Sequence, residues 1–72
     1  MKFDLRVLTD KTDDTMKRCP ELRRGQAMWA AAVDLWPALS APLSCTSIDP
    51  FDDDDLCLPF MLALAQRAKR VA

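Results

Sequence analysis

Glu21-Leu22-Arg23-Arg24-Gly25-Gln26-Ala27-Met28-Trp29-Ala30-Ala31-Ala32-Val33-Asp34-Leu35-Trp36, closed by Pro37, is the stretch whose reading decides the fold. At about 100° per residue, Leu22, Met28, Trp29, Ala32, Val33, Leu35 and Trp36 fall in one broad apolar stripe. Ala27, Ala30 and Ala31 lie on the other side, beside Arg23 and Asp34. Pro20 stands just ahead, where a missing N–H costs nothing, and Glu21 puts a negative charge in a first turn. Pro37 biases Trp36 away from α geometry and ends the run. The spacing therefore predicts a helix over residues 21–36, with the two tryptophans, seven apart, on its core face.

Working outward, Pro37 opens a short second helix over residues 37–43, with Leu39 and Leu43 facing the core and Pro42 making it irregular. Residues 44–51 read as a loop in which Ile48 and Phe51 plug the core and Asp49-Pro50 supplies turn chemistry. A last helix over residues 56–71 aligns Leu56, Phe60, Leu64, Ala68 and Val71 on one face, flanked by Cys57 and Met61. Aspartates precede it and Arg67, Lys69 and Arg70 end it, which suits the helix dipole. Pro59 is compatible with its first turn alone. Towards the N-terminus, Phe3, Leu5 and Val7 alternate as in a strand, but a lone strand has nothing to pair with. An extended or helical lead-in is expected there, followed by a helix over residues 9–18 capped by Thr9 or Asp10. The sum is an all-α, single-domain bundle of three to four helices spanning residues 1–72.

Composition supports that class and removes several functions. Seventy-two residues with one glycine and ten alanines suit a small helical domain, and half the residues are hydrophobic with 29% charged. A chain this short buries only about 60% of its unfolded surface, so a partner or self-association (a homo-oligomer) is expected to contribute to its order. The net charge of −1 creates no basic field, so nucleic acid is not the default partner. The chain has no histidine, which removes His-based metal sites and Ser–His or Cys–His nucleophile pairs. Cys19, Cys45 and Cys57 are odd in number and lack C-x-x-C spacing, so they read as reduced thiols. Residues 27–45 are largely apolar, but Asp34, Pro37 and Pro42 interrupt them, and no membrane span is expected.

The candidate sites are two charge clusters. Asp52, Asp53, Asp54 and Asp55 form an acidic run. Its spacing lacks the alternation, glycine and terminal glutamate of a calcium loop, so no metal is expected. It reads as a solvated cap for the last helix or as a patch that docks a basic partner surface. Lys17, Arg18, Arg23 and Arg24 form a basic cluster, the alternative contact, suited to phosphates. No nucleophile–base pair is present, so neither catalytic residues nor a cofactor are expected.

Arg23-Arg24-Gly25-Gln26-Ala27, Pro37, Thr46, Asp49-Pro50-Phe51, Asp53-Asp54 and Phe60 together resemble a family of short proteins of tailed bacteriophages and prophages. The family pattern is R-x-G-Q-A, an Asn four residues after the Gln, a Pro, G-T-x-x-D-P-F-Y-x-D and a Phe in the last helix. The match spans roughly residues 19–64, and Ala30, Cys45 and Asp52 depart from the family's Asn, Gly and Tyr. The resemblance implies a phage origin and a host-cytoplasm setting and assigns no chemistry. Physically the motif reads as a loop lock, with Gln26 bonding loop backbone and Asp49 capping a turn that Pro50 stiffens. The function expected is that of a phage accessory protein that binds a host or phage protein without catalysis, as an inhibitor of host defence does. The alternative is a nucleic-acid-associated regulator using the basic cluster.

Overall fold

The computed structural model describes residues 3–44, 46, 50, 51 and 53–71, the last by its backbone. It is all-α: α1 (Leu5–Arg18), α2 (Arg24–Leu35), the short α3 (Pro37–Ser40) and α4 (Cys57–Val71), with 3-10 turns at Ala41–Leu43 and Asp54–Leu56. Expectations placed on Cys45, Ile48, Asp49 and Asp52 lie outside the described residues.

α1 begins one turn earlier than the expected residue 9. Asp4, in extended backbone, accepts the Arg6 N–H at 2.9 Å and is the N-cap. With that cap in place Leu5 and Val7 lie on a helix and face solvent, while Phe3 precedes it. Thr9 is interior to the helix and donates its hydroxyl to the Leu5 carbonyl, as Thr12 does to Leu8 and Thr15 to Lys11. This back-bonding is what allows Thr12 to be fully buried beside Leu8.

Pro20 ends α1 rather than opening the next helix. Cys19 is pushed out of α geometry, its N–H still reaching the Thr15 carbonyl, and Leu22 closes a turn on Cys19. α2 consequently starts at Arg24, three residues later than the expected Glu21, with Arg23 as its extended N-cap. The Gln26 side chain accepts the Arg23 N–H at 3.2 Å, so it caps its own helix rather than bonding the loop backbone it is expected to lock.

The buried arc of α2 is rotated towards the alanines. Ala27, Met28, Ala31 and Ala32 are buried, Trp29 and Leu35 are half-buried, and Val33 is exposed. Ala27 and Ala31 were expected outside; of the three alanines on that face only Ala30 is. The reason is α1, which crosses this side and is tied to it by Lys11–Asp34 and Arg24–Asp13 ion pairs. Side chains of one carbon let the two backbones come close.

Pro37 is the first residue of α3, and Pro42, which cannot donate, converts its continuation into a 3-10 turn. Leu39 and Leu43 enter the core as expected, and the buried Ser40 hydroxyl donates to the Trp36 carbonyl at 2.9 Å. α4 supplies Cys57, Phe60, Leu64 and Ala68, with Pro59 harmless in its first turn. Arg67 Nε reaches back to the Leu39 carbonyl at 3.1 Å and satisfies a helix end. Trp36 is buried against Phe3, ring centroids 4.8 Å apart, while Trp29 leans on Phe60 at 5.6 Å. No helix of the described residues is long and apolar enough to cross a membrane.

Candidate functional site

Arg23, Gly25 and Gln26 of the motif meet Pro50, Phe51 and Asp54 at one corner of the molecule, the N-terminus of α2. Gly25 is buried there, and a methyl group on its Cα would overlap the Pro50 carbonyl oxygen. Its N–H, one of the unpaired donors of a helix start, is taken by Asp54 Oδ1 at 3.0 Å. The cap of α2 thus comes from a residue 29 positions away, and the carboxylate also suits the positive end of the helix dipole. Arg23 Nη2 donates to the Phe51 carbonyl at 3.1 Å, and the Asp53 N–H closes a turn on the Pro50 carbonyl.

These contacts divide the acidic run. Asp54 holds α2, and Asp53 accepts the Asp55 N–H at 3.0 Å as the cap of the 3-10 turn leading into α4. Both roles are architectural. Asp55 is exposed, and Asp52 lies outside the described residues. Among the described residues no group of three or more His, Cys, Asp or Glu side chains is placed to hold a metal ion.

Phe51 does not plug the core. Its side chain is 44% exposed, because the chain buries the adjacent Pro50 instead and turns at Phe51. An aromatic ring therefore stands on the surface with Asp53 two residues away. The Cys57 thiol is behind this corner. Burial first, then the neighbouring Asp54 and Asp53, push its pKa above the ordinary 9.0 against the opposing pull of Arg24. A protonated, buried thiol is a poor nucleophile.

Two of the four basic side chains, Arg18 and Arg24, are ion-paired with aspartates of α1. Arg18 pairs with Asp14 and Arg24 with Asp13, each at 3.1 Å, and Arg23 is held by the Phe51 carbonyl. Lys17 is exposed, and among the described residues it makes no ion pair.

Two features escaped the sequence reading. The close approach at Gly25 had a signal, since a helix start is an unusual place for the chain's one glycine. The second is a row of exposed residues on the outer surface of α4, Leu58, Leu62, Ala65 and Lys69, which Asp55 of the preceding 3-10 turn continues in spacing. Their spacing of 3, 4, 3 and 4 is a local signal, but the inward stripe of Phe60 and Leu64 carries the same helical period. Compared with known proteins, the chain matches no family model, no curated protein and no solved structure.

Proposed function

We propose that this chain is a small accessory protein that acts by non-catalytic protein–protein interaction, offering the Phe51 corner and its aspartates to a basic surface of a host or phage protein. The observation that carries this reading is the exposed Phe51 ring on a turn fixed by Arg23, Gly25 and Asp54, followed in the chain by the exposed Asp53, Asp54 and Asp55. Large rigid aromatics rimmed by polar groups are the usual anchors of protein interfaces, and the charge around them steers encounter. The resemblance of residues 19–64 to short phage proteins supports a host-cell setting, and inhibition of host defence is the activity that suits a binding protein there.

The nucleic-acid alternative draws less support, because Arg18, Arg23 and Arg24 already have partners on the protein surface. The test is co-expression in a bacterial host that restricts phage, with capture of the tagged protein's partner. The wild-type chain is expected to raise plaquing efficiency and to hold a partner in a salt-sensitive complex. Phe51→Ser, which removes an exposed ring, is expected to keep the fold and lower that partner's affinity about tenfold or more. Undiminished binding by Phe51→Ser overturns the reading.

A further inference from the structure

The outer surface of α4 carries a pattern that the fold itself does not use. Asp55, Leu58, Leu62, Ala65 and Lys69 repeat at the alternating three- and four-residue spacing of a coiled-coil seam, on the side opposite the buried Phe60 and Leu64. Leu58 and Leu62 are 61% and 56% exposed, the two most exposed of the large apolar side chains described. Phe3, Leu62, Ala65, Gln66 and Lys69 line a shallow hollow beside the seam. The row is apolar in the middle and charged at its ends, acidic at Asp55 and basic at Lys69, with Arg70 next to it in the chain. Among the described residues none of these three side chains forms an ion pair within the chain.

We propose that this face binds a second copy of the chain, α4 against α4 in antiparallel orientation, forming a symmetric dimer. A two-fold interface is self-complementary, so a surface whose two ends carry opposite charge fits its own copy when the helices run oppositely. With the axis passing at Leu62, midway between positions 55 and 69, the Asp55 end of each helix lies beside the Lys69 end of its partner. Leu62 then meets Leu62 of the second copy at the axis, with Leu58 of each copy one turn to either side. Parallel pairing sets Asp55 against Asp55 and Lys69 against Lys69, which repels. A slab 16 Å thin along its shortest axis has little interior of its own, and this pairing gives α4 a covered surface on both sides. The dimer does not rest on the Phe51 reading: Asp55 is common to both surfaces, but Leu58, Leu62, Ala65 and Lys69 belong to this one alone.

The experiment is sedimentation equilibrium of the intact chain over a range of concentrations, with circular dichroism to check each variant. The wild type is expected to dimerise. Leu62→Glu, at an exposed position, is expected to keep its helix content and weaken the dimer at least about tenfold. Asp55→Lys and Lys69→Glu are each expected to weaken it several-fold, and the double variant Asp55→Lys/Lys69→Glu to recover it. A wild type that stays monomeric to about a millimolar, a level at which even weak specific contacts form, overturns the proposal. So does a dimer indifferent to Leu62→Glu, or a double variant that fails to recover. If the wild type is monomeric while Leu62→Glu abolishes capture of a different protein, the face belongs to that protein and the dimer is again excluded. Phe51→Ser is expected to leave the dimer intact, which separates failure here from failure of the interaction reading.

Discussion

Gly25 shows how far one residue can constrain a small fold. Its backbone is that of an ordinary helix start, so the need for glycine comes entirely from the Pro50 carbonyl pressed against its Cα. Gly25→Ala improves helix propensity by up to about 1 kcal/mol, but overpacking costs roughly 1–3 kcal/mol and also crowds Asp54. The variant is expected to unfold at lower urea concentration than the wild type. The aspartates one step away separate by role in the same way. Asp54→Ala leaves the Gly25 N–H without its acceptor and is expected to cost about 0.5–2 kcal/mol, the range for a lost helix cap. Asp55→Ala, at an exposed position, is expected to stay within about 0.5 kcal/mol. Equal urea midpoints for the two would show that Asp54 is only a solvated charge.

At the scale of elements, α2 is the centre of the molecule and its alanines set the spacing of its neighbour. Ala31 is 1% exposed beneath α1, while Ala30, one step round the helix, is in solvent. Ala31→Leu is therefore expected to destabilise by about 1–3 kcal/mol through overpacking. Ala30→Leu, with the same change in chemistry and propensity, is expected to be close to neutral, within about 0.5 kcal/mol. Chemical denaturation of the pair checks the orientation of α2. Similar midpoints would mean that α1 does not pack where the ion pairs from Lys11 and Asp13 place it.

For the whole molecule, the state of the Cys57 thiol couples folding to pH. Burial and two aspartates hold its folded pKa above the unfolded one, so the folded chain keeps its proton after the unfolded chain has lost it. The contribution to stability is complete below the ordinary value of 9.0 and is lost as pH rises from there through the raised folded value. The urea midpoint is therefore expected to fall as pH is raised past 9.0. Cys57→Ala is expected to flatten that slope, although it lowers stability at neutral pH by leaving a small cavity. Urea midpoints across the range for both chains measure the difference.

The all-α class, the inward faces of Leu39, Leu43, Phe60 and Leu64, and the break at Pro37 were legible in the residues, because periodicity and proline geometry are local properties. Helix starts were less so: Pro20 can equally end one helix or begin the next, and Asp4 outcompeted Thr9 only because residues 5–8 also joined the helix. The buried alanines and the exposed Phe51 inverted the order that hydrophobicity suggests, since burial there is decided by which neighbour comes near. At the candidate site the sequence named its parts in Gly25, Gln26, Pro50 and Asp54 without joining them. Only the tertiary structure brought Asp54 to the Gly25 N–H, because a cap supplied across 29 residues has no local signature and forms only once α2 and α4 have packed.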